Sequence, residues 1–320
     1  MTPSLKENLL RAIRHEAPHH VPYAGEGAYR IVDHRGRKPP RLGSDEWGVQ
    51  WAPLPPTYIA GAGEPLESYP IVPRATSAGE LRGAAFPDPT DPSLFAGLRD
   101  GADPEALVIG QHSAGILDRF LLLLGMPAGL TALITAPEAS SEVLERIADY
   151  HAGLARGYLA AGVEAAWLAD DYAGQDGPYV RPELWRRMIL PPLARVIAVY
   201  RKAGLPVFFH TCGRAEAFVP DLLGAGVNVL NLQSEACNLA ALKARFGRGI
   251  AFFGGVPSQT MLLGTPEEVR QTARSAIVAL AGGGGLILAP DQPLAFPAEN
   301  WSAFVETARG SGHAGRPRGE

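Results

Sequence analysis

Val207-Phe208-Phe209-His210-Thr211-Cys212-Gly213 is an apolar run that turns polar and then meets a glycine. A short continuous run of β-branched and aromatic residues closed by a turn residue reads as a strand buried on both faces. Strand side chains alternate, so His210 and Cys212 share one face at its carboxyl end. The same pattern recurs along the chain, with clear strands at 106–111, 165–170, 206–212, 227–232, 250–255 and 285–289 and weaker candidates at 21–24 and 71–73. Between them lie helical periodicities at 137–161, 182–203, 215–223 and 266–281, and another at 3–14 precedes them all. Strands alternating with helices predict a parallel sheet, and eight such units predict a closed (β/α)8 barrel. An open doubly wound sheet is the rival, but no G-x-G-x-x-G follows any strand, and the glycines 282–285 precede one.

Composition sets the outer bounds. Hydrophobic residues make up 46% and charged residues 19% of 320, which suits one folded enzyme domain over 1–309. The Gly- and Arg-rich stretch 310–320 reads as a flexible tail, and 34–70, rich in Pro and Gly with two tryptophans, as an excursion over the barrel mouth. A net charge of −4 points to no nucleic-acid partner, and no apolar run reaches the roughly 18 residues of a membrane span. Two cysteines behind a charged, amphipathic amino terminus suggest a reducing, cytoplasmic setting and no disulfide framework.

In a barrel the strand carboxyl ends form the active site, and here each apolar run passes directly into polar residues. Asp170 and Asp171 end one strand, His210 and Cys212 the next, Asn231 and Gln233 the next; Gly254 and Gly255 follow, then Asp291 and Gln292. An imidazole and a thiol on one face suit zinc, which needs at least three protein ligands. The alternative is a buried cysteine beside a hydrogen-bonded histidine. Cys237 is the other thiol and the first candidate for third ligand; Glu235, Asp171 and Asp291 are oxygen alternatives. Asp170 and Asp171 offer general acid–base chemistry, with one facing the cavity because adjacent strand residues point oppositely. Asp45, in the group Asp45-Glu46-Trp47-Gly48, is a further acid; the structural alternative there is a turn pinned by a packed tryptophan.

Taken together the motifs resemble the uroporphyrinogen decarboxylase superfamily. The resemblance rests on His210-Thr211-Cys212-Gly213, Val219-Pro220-Asp221-Leu222, Phe252-Phe253-Gly254-Gly255-Val256, Gly264-Thr265-Pro266-Glu267-Glu268-Val269 and Ile287-Leu288-Ala289-Pro290, with Asp170-Asp171 and Gln175-Asp176-Gly177 in agreement. It implies a (β/α)8 barrel. It also implies one of two chemistries. True decarboxylases of this superfamily carry an Arg-Gln-Ala-Gly-Arg segment for substrate carboxylates, where this chain has Glu26-Gly27-Ala28-Tyr29-Arg30, and a histidine after the last strand, where it has Asp291-Gln292-Pro293. The other branch holds corrinoid- and folate-linked methyltransferases, similar in fold to cobalamin-independent methionine synthase, in which the H-x-C pair binds zinc.

That branch implies zinc on His210, Cys212 and a third ligand, typically a cysteine that aligns near Gln292 here; Cys237 or a carboxylate would substitute. The implied function is a methyltransferase acting on a small-molecule substrate, with a corrinoid on a partner protein. Asp171 is the expected acting carboxylate with Asp170 orienting it; Glu26, Trp47, Gln175, Gln233, Gly255 and Asp291 are the expected substrate-binding residues. Metal-free decarboxylation of a porphyrinogen or smaller carboxylate is the alternative, and a non-catalytic partner of a corrinoid protein a third.

Overall fold

In a computed structural model that describes residues 3–35, 43–52 and 69–311, the apolar runs become parallel strands. Seven of them pair in chain order: β1 (Tyr29–Asp33), β2 (Leu107–His112), β3 (Ala165–Ala169), β4 (Val207–Thr211), β5 (Val229–Leu232), β6 (Ala251–Val256) and β7 (Leu286–Pro290). The six clear sequence strands are all present. The two weaker ones are not barrel staves: 21–24 supplies only an isolated bridge from Tyr23 to Leu288, and 71–73 falls largely in a separate antiparallel sheet. β1 was not expected, because Arg30 and Asp33 interrupt its apolar run.

The sheet curls. Tyr29 on β1 and Phe253 on β6 bring their rings to 5.4 Å, whereas five strand spacings of about 4.8 Å would hold them about 24 Å apart in a flat sheet. Trp167 on β3 meets Phe253 at 5.0 Å and Phe208 on β4 at 5.8 Å, so side chains from four strands fill one interior. Closure runs through the chain before β1: Ala24 N–H donates to Leu288 O (2.9 Å) and Leu288 N–H to Pro22 O (2.8 Å) on the far edge. Among the described residues the result is a barrel-like sheet of seven hydrogen-bonded strands, where eight were expected.

Helices wrap the outside, each set by local signals. Ser4 caps Leu5–Arg14 by accepting from Glu7 N–H, and Thr265 with Glu268 forms a capping box on Pro266–Leu280. The expected helix 182–203 is two, Pro182–Met188 and Leu190–Lys202, because Pro191 and Pro192 have no N–H to continue the ladder. Helices at Ile116–Leu124, Met126–Thr135, Leu239–Phe246, Ser258–Leu263 and Ala298–Gly310 were not anticipated. No single helix among the described residues is long and apolar enough to cross a membrane.

Of the expected excursion, 36–42 and 53–68 lie outside the described residues, as does 312–320 of the expected tail. The described parts form a three-stranded antiparallel sheet of Gly43–Ser44, Gln50–Ala52 and Tyr69–Val72. Pro70, Ile71 and Val72 from its last strand wall a cavity that also reaches Asp171.

Candidate metal centre

The end of β4 builds the site. His210 sits in register between Ala169 of β3 and Asn231 of β5, which places the Asn231 amide beside its ring. Asn231 Nδ2 donates to Phe253 O at 2.7 Å, so Oδ1 is the atom that faces His210 Nδ1, at 2.6 Å. His210 Nδ1 therefore carries the proton and Nε2 keeps its lone pair. Nε2 lies 3.3 Å from Cys212 Sγ and 3.9 Å from Asp171 Oδ1. Thr211, between them in sequence, points the other way and accepts from Tyr172 N–H through Oγ1 (3.1 Å), as strand alternation requires.

Asp171, His210 and Cys212 bring one ligand atom each to within 4.8 Å of one another. Tetrahedral zinc with bonds of about 2.0–2.3 Å sets neighbouring N, O and S ligand atoms about 3.3–3.6 Å apart. The donor set fits zinc: an imidazole of fixed tautomer, a thiol and a carboxylate. Burial pushes the Cys212 thiol well up, and the Asp171 carboxylate adds to this while the Gln292 amide opposes it. Gln292 Nε2 donates to Cys212 Sγ at 3.3 Å, so the residue aligned with an expected cysteine hydrogen-bonds the sulfur instead.

Cys237 stands apart. Its thiol donates to Gly213 O (3.3 Å), burial raises it to about 11, and it is not in the three-ligand group. The group that lies with His210 and Cys212 is Asp171, whose Oδ1 accepts from Cys212 N–H at 2.7 Å. Gln233 Oε1 accepts from Gly213 N–H (2.8 Å) and from Gln175 Nε2 (3.1 Å), holding the loop that follows Cys212. Asp291 Oδ2 accepts from Ser234 N–H and Oγ, its Oδ1 from Gly255 N–H, and burial raises it to about 6. It ties three strand ends together.

Asp170 and Asp171 diverge as adjacent strand-end residues should. Asp171 is partly open, while Asp170 is buried and accepts from Ile116, Leu117 and Asp118 N–H and from Tyr172 OH, at 2.8–3.1 Å. Asp170 thus caps the helix Ile116–Leu124 and orients Asp171 only through the backbone. That helix delivers a residue the sequence reading missed, Asp118, whose Oδ2 accepts from Asp171 N–H at 3.0 Å. Burial raises Asp170 to about 7 and raises Asp118 well above the usual carboxylate range, with the neighbouring Asp170 and Asp171 charges adding to Asp118. Of the pair, Asp118 holds the proton: all four contacts of Asp170 are donors, which leaves a proton there no acceptor. An acid in the first turn of a helix that follows a strand end was the available signal.

The other expected residues lie outside the group of Asp171, His210 and Cys212 and hold contacts of their own. Asp45 accepts from Trp47 N–H, Val49 N–H and Trp51 Nε1, each at 2.9 Å, and pairs with Arg119 at 3.4 Å. Trp47 is buried against Phe86 and Tyr150, with the Arg119 guanidinium over its ring. This is the pinned turn. Glu26 accepts from Tyr23 N–H (3.3 Å) and meets His20 Nε2 (2.8 Å), holding the chain where it leaves the bridge to β7.

The profile of the uroporphyrinogen decarboxylase (URO-D) family matches residues 95–311. Among solved structures, a methyltransferase from Methanosarcina mazei superposes with a TM-score of 0.73 at 17% identity, covering 96% of this chain and 98% of that one. A B12-independent methionine synthase from Shewanella sp. W3-18-1, solved with selenomethionine, reaches a TM-score of 0.50 at 14% identity, covering 71% of this chain and 67% of that one. At these identities the likeness is one of fold. No curated protein matches the sequence.

Proposed function

Because this chain belongs to the uroporphyrinogen decarboxylase family, we propose that it is a methyltransferase whose Asp171, His210 and Cys212 bind zinc. The methyl group would move between a small donor and a thiol, or a corrinoid on a partner protein. The observation that carries this reading is the His210 tautomer: Asn231 holds the imidazole with its free lone pair toward Cys212 and Asp171.

Zinc bound to these residues would lower the pKa of a substrate thiol and so supply the nucleophile. Gln292 and Gln233 keep the ligand loop in place, the first through Cys212 Sγ and the second through Gly213 N–H. Transfer would make a sulfur–carbon bond as the donor–carbon bond breaks, the donor keeping that electron pair and the proton released by the thiol balancing its charge. Arg30, the one arginine in the segment where decarboxylases bind substrate carboxylates, donates to Asp100 O, which favours methyl transfer over decarboxylation. Metal analysis of freshly purified protein is the test. About one zinc per chain, lost in Cys212→Ser together with methyl transfer to an added thiol, is the expected result; no zinc and full activity in Cys212→Ser, or carbon dioxide release from uroporphyrinogen, would overturn it.

A further inference from the structure

The amino ends of the strands carry a basic cluster, at the opposite end of the barrel from His210 and Cys212. Lys243, on the helix Leu239–Phe246, reaches the turn before β7, where its Nζ donates to Gly284 O at 2.8 Å. His15, which ends the helix Leu5–Arg14 in a left-handed conformation, donates through Nε2 to Ile250 O at 2.9 Å, just before β6. Gly285 lies between the two side chains: a Cβ there would stand 2.5 Å from Lys243 Nζ and 2.2 Å from His15 Cε1. From the exposed turn Gly247–Gly249, the Arg248 guanidinium donates to His15 O at 2.7 Å.

Hydrogen-bond counting favours a neutral amine at Lys243. An ammonium has three protons to place, and among the described residues Lys243 has one acceptor, Gly284 O, with the His15 ring donating beside it. Half-burial strips part of the water that would take the other two, and it lowers the Lys243 pKa to about 8. We propose that Lys243 is an acylation site that takes the acyl group of an acyl phosphate. The nitrogen lone pair attacks the carbonyl carbon; the N–C bond forms, the C–O bond to phosphate breaks with its electron pair on the phosphate, and a proton leaves the nitrogen for solvent. Arg248, exposed on the same cluster, attracts the anionic donor. The amide N–H that results keeps the bond to Gly284 O, so the fold is retained.

At about pH 7.5 a pKa of about 8 leaves about a quarter of Lys243 as free amine, against about 0.1% of an ordinary lysine. A less basic nitrogen is also a weaker nucleophile, as holds for thiols, so the expected gain in rate is about tenfold and not the full ratio. The full chain is incubated with acetyl phosphate, and acetylation of each lysine is followed by peptide mass spectrometry. Lys243 is expected to react about tenfold faster than Lys202, which is exposed, and Lys6, which pairs with Glu164. This order is expected to vanish in urea. Arg248→Gln is expected to slow Lys243 about threefold with acetyl phosphate but not with the uncharged N-acetylimidazole. Lys243 reacting no faster than Lys202, or keeping its lead in urea, overturns the inference; an unchanged acetyl phosphate rate in Arg248→Gln overturns the choice of an acyl phosphate as donor.

Discussion

Substituting Asp170 and Asp118 separately by asparagine decides where the proton of this acidic group resides. In Asp170→Asn, an amide oxygen in the place of Oδ2 keeps Ile116 N–H, Leu117 N–H and Tyr172 OH, but the amide nitrogen then faces Asp118 N–H, a donor against a donor. Three charge-assisted bonds become neutral ones, each weaker by about 1 kcal/mol, and one buried N–H loses its acceptor at about 1–3 kcal/mol. The expected loss is about 5 kcal/mol. With an unfolding entropy of roughly 2.1 cal/mol/K per residue over a 320-residue chain, this lowers Tm by about 7 °C. Asp118→Asn replaces a protonated acid by its neutral isostere and keeps the acceptor for Asp171 N–H, so at neutral pH it costs nothing. Its pH dependence follows from the raised folded-state pKa. The folded protein holds this proton when the unfolded chain has released it, so wild-type stability falls as pH rises from about 4 toward the folded value. Asp118→Asn removes that loss, so its Tm advantage over wild type is absent near the ordinary carboxylate pKa and grows as pH rises toward the raised folded-state value. Differential scanning calorimetry between about pH 4 and 8 reads both variants. A near-silent Asp170→Asn with a costly Asp118→Asn would put the proton on Asp170 and refute the reasoning.

Three further outcomes are expected. Asn231→Leu frees the His210 tautomer and is expected to weaken zinc binding about 10–100-fold in a chelator competition, with zinc affinity unchanged as the contrary result. Gly213→Ala places a methyl at φ +70° against the backbone oxygens of Ala173 and Gly174, so circular dichroism melts are expected to show a loss of about 2 kcal/mol or more. Gln292→Cys sets a second sulfur near Cys212 Sγ, which Gln292 Nε2 now reaches at 3.3 Å; the cobalt-substituted protein is expected to gain thiolate-to-cobalt absorption, and an unchanged spectrum would place residue 292 out of reach.

The fold was legible wherever burial on both faces makes a strand continuously apolar. Runs such as Val207-Phe208-Phe209 and Leu286-Ile287-Leu288 announce themselves, and all six of the clear ones are strands within one or two residues at each end. β1 escaped because its exposed Arg30 and half-buried Asp33 give it the look of a loop. The candidate strand 21–24 supplies a bridge at Tyr23, but its partner Leu288 lies more than 260 residues away, and no local pattern records a contact so distant. Ile71 and Val72 are apolar yet exposed in a small antiparallel sheet, so hydrophobicity there marks a cavity wall and not a barrel stave.

The site was legible along one strand and illegible across strands. Alternation alone put His210 and Cys212 on one face with Thr211 on the other, and required Asp170 and Asp171 to part. What alternation does not contain is register. Asn231 becomes the partner of His210 only because β4 and β5 pair His210 with Asn231, and Asp118 reaches Asp171 only because Asp170 seizes the amino end of its helix. The same limit bears on the third ligand: sulfur chemistry points to Cys237, whereas position groups Asp171 with His210 and Cys212. Exchanging a thiolate for a carboxylate matters chemically, because oxygen donates less charge than sulfur and leaves a bound zinc a stronger Lewis acid. Gln292 shifts the balance the same way, since its N–H draws charge from the remaining sulfur. If the proposed zinc binds here, both departures from a two-cysteine centre would act in one direction, toward a metal suited to ionising a weakly acidic thiol.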